Sequence, residues 1–148
     1  MARTPQRADR WSLRQVSLAA GVSLATARAV VRAGHLDPTG LTAADVVVLK
    51  VAAMLPSLQP LGELRPANAT RQVPRREMMA VELVRQAGLD LSELSTLVVT
   101  ADGAHLATTI VDVSAAMLRP VTRGEPYLAL PVGFWARELR LETAAEAA

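Results

Sequence analysis

The side chains of this chain best equipped for chemistry are its arginines. Fifteen of its sixteen cations are arginine, and Lys50 is the single lysine. A planar guanidinium forks onto phosphate and onto the guanine edge in a way an ammonium cannot. Their placement is uneven. Residues 1–40 carry Arg3, Arg7, Arg10, Arg14, Arg28 and Arg32 against Asp9 and Asp37, a balance of +4, and the rest of the chain balances at −2. A basic end on an otherwise slightly acidic chain points to a polyanionic partner. High-GC coding would also enrich Ala, Val, Leu and Arg, so composition alone leaves both explanations standing. Arg28 and Arg32 lie four apart, which on a helix places them on one face.

Other chemistries are poorly supplied. Cysteine is absent, which removes disulfides, thiolate metal sites and cysteine nucleophiles together. The two histidines, His35 and His105, stand far apart, a poor basis for a zinc site. His105 has Asp102 and Asp112 near it in sequence, but no serine is placed to act as its nucleophile. Glu77 with Glu82, and Glu138 with Glu142, read as ordinary helix-surface acids. No glycine-rich phosphate loop occurs, since AAGVS fits neither nucleotide fingerprint. The expectation is a protein without enzyme activity, metal or cofactor.

The elements that must position the arginines begin at Trp11. Residues 1–10 lack apolar periodicity and read as a flexible basic arm. Ser12 with Gln15 forms a capping-box pattern, and Trp11 with Val16 a hydrophobic staple. Leu13, Val16 and Ala20 then share one helical face up to Gly21. Ser23 caps a second helix from Leu24 to about Ala33, with Ala27, Val30 and Val31 inward and Gly34 at its C-terminal cap. Two helices joined by a short glycine-containing turn make a helix-turn-helix. A third helix follows Thr42, its expected cap, with Asp45 in its first turn and Leu41 stapled to Val46. Val46 to Leu55 is apolar nearly all round, which suits a core helix that also serves as a subunit surface.

Prolines 56, 60, 66 and 74 mark residues 56–74 as a linker. Beyond it a helix fits 75–87, with Met78, Val81, Leu83 and Val84 inward and Arg75, Arg76, Glu82 and Arg85 outward. A β-hairpin then pairs Leu97–Thr100 with Leu106–Val111 around a turn at Asp102-Gly103. Tyr127–Val132 reads as a third strand whose Pro131 confines it to an edge or an end. Phe134 to about Thr143 reads as a helix with Phe134 and Trp135 in the core, and the AAEAA tail is expected to fray. The fold class is therefore α+β: a three-helix head over 11–55, and over 75–148 a small antiparallel hairpin or sheet with flanking helices. There is no internal repeat.

With 148 residues, half of them hydrophobic (51%), and a mean hydropathy of +0.24, the chain has enough apolar material to fold. Its longest apolar run, Val46 to Leu55, is too short to cross a bilayer and is interrupted by Lys50. The expected setting is cytoplasmic and nucleoid-associated, with no membrane partner.

Residues Trp11–Leu36, WSLRQVSLAAGVSLATARAVVRAGHL, resemble the DNA-binding head of the MerR family. The matching positions are Ser12, Leu13, Val16, Gly21, Val22, Ser23, Thr26, Arg28, Gly34 and Leu36, without a gap. Two features depart from that family. Ala29 and Val30 stand where it has aromatic residues after Thr-x-Arg, and Asp37-Pro38-Thr39-Gly40 replaces its wing with at most a turn. Its long dimerising coiled coil is not visible either.

The resemblance implies a helix whose N-terminal turn enters the major groove of double-stranded DNA. The candidate DNA-binding residues are then Arg14, Ser23, Leu24, Ala25, Thr26, Arg28 and Arg32. This surface is small and apolar apart from its arginines. Specificity would need a homo-oligomer, the basic arm or DNA deformation to add to it. The reading is a DNA-binding transcriptional regulator. Two alternatives stay open: an accessory or architectural DNA-binding protein of a mobile element or plasmid, and a protein-interaction adaptor. The latter two differ in charge demand, and the +4 head argues against the adaptor.

Overall fold

Local signals set the first helix where the sequence places it. In the computed structural model, which describes residues 10–55 and 75–147, α1 (Leu13–Ala20) follows a complete Ser12–Gln15 capping box. Gln15 N–H donates to the Ser12 hydroxyl at 3.1 Å, and the Gln15 side chain accepts from Ser12 N–H at 2.8 Å. Gly21 ends the helix in the left-handed region, with φ 68°, where a residue lacking Cβ adopts the conformation without strain. Ser23 then caps α2 (Leu24–Arg32) by accepting from Thr26 N–H. Ala33 closes α2, one residue before the expected Gly34, and Gly34 takes up positive φ just beyond it.

α3 (Ala44–Met54) is the element on which the others converge. Its N-cap is Ala43, with no side-chain cap bond. Thr42 therefore does not cap it as expected. Thr42 donates its N–H and hydroxyl to the Asp45 carboxylate, at 2.7 and 3.3 Å, so the tie runs from the helix's first turn back to the preceding strand of chain. Val46, Val47, Val48, Leu49 and Val51 are buried by the chain's own α1, α2, α4 (Arg75–Ala87) and α6 (Val132–Ala147). These side chains are core residues, as expected, while Met54 at the end of the helix stays exposed.

The remaining elements are β1 (Thr96–Thr100), β2 (Gly103–Ala107), α5 (Ile110–Arg123) and β3 (Tyr127–Leu130). The fold is mixed, six helices with a three-stranded antiparallel sheet among the described residues, in strand order β2-β1-β3. Leu97 and Val99 point from the central strand into the main core, while Val98 faces the opposite side, toward α5. One buried cluster joins Val16, Ala27 and Val30 of the head to Leu49, Val84, Leu97 and Leu139. The stretches 11–55 and 75–148, read as separate units, thus share a core. Of the expected basic arm 1–10, all but Arg10, which is exposed, lies outside the described residues, as does the expected linker 56–74.

Three local expectations are corrected. The hairpin loop is Ala101-Asp102, with Gly103 already paired to Thr100: the first strand ends at Thr100 as expected and the second begins at Gly103, three residues before the expected Leu106. Residues 110 and 111 belong to α5, not to the second strand: the Thr109 hydroxyl accepts from Asp112 N–H at 3.1 Å and starts a helix there. On α4, Val81 and Val84 face inward as expected, but Met78 is exposed and Glu77 buried, the reverse of the expectation for those two. Phe134 is also largely exposed, whereas Trp135 is half-buried with Lys50 Nζ 5.0 Å above its ring. α6 continues through Ala147.

Candidate nucleic-acid interface

The inward face of α2 is fixed by Ala27 and Val30, both buried against α1 and α3. Its opposite face then presents Ala25, Arg28, Ala29 and Arg32 to solvent, spaced one helical turn apart. Arg14 is likewise exposed, on the first turn of α1. Among the described residues, none of Arg14, Arg28 and Arg32 is held in an ion pair. Their guanidiniums are available to an external anion.

The polar groups at the start of α2 are otherwise engaged. The Ser23 hydroxyl accepts from Thr26 N–H at 3.1 Å and shares a hydrogen bond with the Thr26 hydroxyl at 2.9 Å. Thr26 is thus turned to the cap and not bonded back to the preceding helical turn. Each hydroxyl keeps spare acceptor capacity, but both are oriented along the helix end. Leu24 and Thr26 are half-buried, and Ala25 is exposed. Of the seven candidate residues, Ala25, Arg28 and Arg32 share the open face of α2, and Arg14 stands on the neighbouring helix. Donors for a base edge come down to the arginines, with the Ala25 methyl suited to a thymine methyl.

The segment between α2 and α3 is a turn. Gly40 N–H donates to Asp37 C=O at 3.2 Å, and no strand forms between the two helices. The Thr39 hydroxyl and N–H both donate to the Asp37 carboxylate, at 2.6 and 3.0 Å. These bonds hold Asp37 below the usual carboxylate range, the hydroxyl contributing more than the N–H. A short acidic turn occupies the position expected of a wing.

Two features escaped the sequence reading. His35, just after α2, places Nε2 3.1 Å from Glu77 Oε2, with both residues nearly sealed from solvent (6% and 4% exposed). Arg85 also donates to the His35 carbonyl, so α4 grips the end of the helix pair at two points. Glu77 lies one face with Ala80, Val81 and Val84, the spacing that betrays an inward position. No comparable signal marks His35, because its partner is 42 residues away.

The second feature is a cleft of about 490 Å³ between the hairpin and α5. His105, Asp102 and Asp112, close in sequence, do line it together, joined by Arg119 and Glu125. Neither serine nor cysteine is among its lining residues. No group of three or more metal-ligating side chains occurs among the described residues, and no helix there is long and apolar enough to cross a membrane. None of the protein-family models, curated proteins and solved structures compared with this chain matches it.

Proposed function

We propose that the helix pair α1–α2 is a MerR-like helix-turn-helix that lays the N-terminal half of α2 in the major groove, and that the protein is a DNA-binding regulator of transcription. The observation that carries this reading is the open face of α2, where Arg28 and Arg32 stand one turn apart without an ion pair among the described residues. Arginines so placed satisfy two demands of a groove-reading helix, a fork for guanine and a contact for phosphate. Arg14 adds a flanking backbone contact. Ser23, Leu24, Ala25 and Thr26 occupy the first turn, where they shape the approach to the bases.

A second reading in the same class draws on the four-residue turn at 37–40. Without a wing, and with Ala25 and Ala29 between the arginines, the surface reads few base positions. That fits an accessory or architectural protein that binds cooperatively along DNA. Selection of duplexes from a random pool by the full chain separates the two. A regulator enriches a defined site with two half-sites, whereas an accessory protein enriches shape or A·T content without a fixed sequence. Recovery of no duplex at low salt would contradict both.

A further inference from the structure

The outer edge of β2 has no strand beside it among the described residues. Thr100 and Gly103 close the two-residue loop as a hydrogen-bonded pair, and bonded pairs alternate along an antiparallel ladder. Ala104 and Leu106 therefore turn their N–H and C=O groups outward, where no described residue bonds to them. Such an edge is a template for another strand, and proteins commonly blunt it with proline, lysine or a very short strand. β3, the opposite edge, is four residues long and bracketed by Pro126 and Pro131. β2, Gly-Ala-His-Leu-Ala, has neither proline nor lysine. A cleft flanks its edge on each face, and the two differ in chemistry. On the side of α4, about 520 Å³ is lined by Met78, Met79, Leu83 and Ala104, and Arg75 and Glu82 offset each other in charge. On the side of α5, in the cleft of about 490 Å³, Asp102, Asp112 and Glu125 outnumber Arg119. Arg123 lies 4.0 Å from Glu125, but neither Asp102 nor Asp112 has an ion pair among the described residues. Met79 lines both clefts, and its Sδ and Cε lie 3.2 Å from where a Cβ on Gly103 would stand. Its flexible thioether is the one side chain shared by the two clefts that can swing aside.

We infer that this edge takes up an extended segment of a partner polypeptide as a fourth strand, one whose side chains alternate between apolar and basic. Successive side chains of a strand point to opposite faces, so a segment paired to β2 sends every second residue toward each cleft. The α4 cleft suits apolar side chains. The α5 cleft, with its excess of carboxylates, suits arginine or lysine. Main-chain bonds to Ala104 and Leu106 supply affinity that any sequence can use, and the two clefts supply the selection. A second copy of β2 is a poor occupant. It would offer Gly103, His105 and Ala107 on one face and Ala104 and Leu106 on the other, with no arginine or lysine to meet the carboxylates. The inference concerns the sheet and does not rest on the DNA reading of α2.

The test uses the full chain and a fluorescein-labelled synthetic peptide, Arg-Leu-Arg-Val-Arg-Leu-Arg, with Glu-Leu-Glu-Val-Glu-Leu-Glu as its control. Anisotropy should show the arginine peptide binding about tenfold or more tightly than the glutamate peptide, and Asp102→Lys/Asp112→Lys should remove that preference. In the free protein, amide exchange at Ala104 and Leu106 should be fast beside that at Gly103 and His105, and the arginine peptide should slow it. N-methylating the apolar residues of the peptide, or its arginines, should abolish binding for one set and spare it for the other, because only alternate N–H groups face β2. Equal affinity for the two peptides overturns the inference, as does loss with both methylated sets or with neither. A preference kept by Asp102→Lys/Asp112→Lys would place the peptide elsewhere and overturn it too. So would slow exchange at Ala104 and Leu106 in the free protein, which means an edge already taken: by a second copy if dilution speeds the exchange, by the chain itself if not. Duplex binding is measured separately by Arg28→Ala, so either claim can fail without the other.

Discussion

Removing the carboxylate of Glu77 should destabilise the whole protein, because it strands a buried histidine at the junction of head and sheet. In the Glu77→Leu variant, His35 Nε2 loses the partner it meets at 3.1 Å in a site closed to water. A buried polar group left without its bond costs about 1–3 kcal/mol, more where the partner is charged. About 2–3 kcal/mol is therefore expected, equivalent to a fall of roughly 6–12 °C in Tm for a chain of this size. His35→Leu should also be destabilising, because it removes the 3.1 Å contact to Glu77 and leaves leucine facing a carboxylate in that closed site. The double variant His35→Leu/Glu77→Leu should lose less than the sum of the two single variants, since neither partner of the His35–Glu77 contact then remains facing a leucine. The assay is a double-mutant cycle by thermal and urea unfolding, which isolates the pairwise contribution. Strictly additive losses, or a Glu77→Leu variant as stable as the wild type, would refute the reasoning. Two separate unfolding transitions in the wild type would refute its premise of a shared core.

Two further outcomes follow from local geometry. Gly133 N–H donates to Ser95 C=O, and a Cβ at Gly133 would come within 1.9 Å of Ser92 O and 2.8 Å of Ser95 N. Those are backbone atoms, so Gly133→Ala should cost at least the roughly 1–3 kcal/mol typical of overpacking, read by urea unfolding. Ser12→Ala removes one half of the capping box of α1 and should cost about 1 kcal/mol, with the circular-dichroism melt shifted by a few degrees.

What the sequence made legible is mostly local. Ser12, Gln15, Gly21 and Ser23 set the ends of α1 and α2 because caps act within four residues. The bounds of α4 were equally readable, and so was the burial of most of α3, since few polar residues interrupt Val46–Leu55. The seven candidate DNA-contact residues fall on or beside α1 and α2 as their spacing implied. What was hidden depends on distant partners. Glu77 turns inward where His35 meets it from across 42 residues. α5 was missed because Leu106–Val111, with β-branched residues from Thr108 on, reads as a strand, and Pro120 falls inside the helix. In the fold that proline sits in the last turn of α5 and packs inward, where its missing N–H costs the helix a single bond. With α5 unread, the cleft beside His105 could not be seen.

The central claim is that α2 meets duplex DNA through Arg28. Fluorescence anisotropy of the full chain and of Arg28→Ala on a selected duplex, repeated across a salt series, addresses it most directly. The account predicts that log K falls linearly with log salt, at a slope of roughly −0.9 for each phosphate neutralised. Arg28→Ala should weaken binding by about 1–3 kcal/mol and relax base preference if it forks onto guanine, or flatten the slope by about one unit if it holds a phosphate. Absence of duplex binding at low salt, or an Arg28→Ala variant indistinguishable from the wild type in affinity, slope and preference, would contradict it.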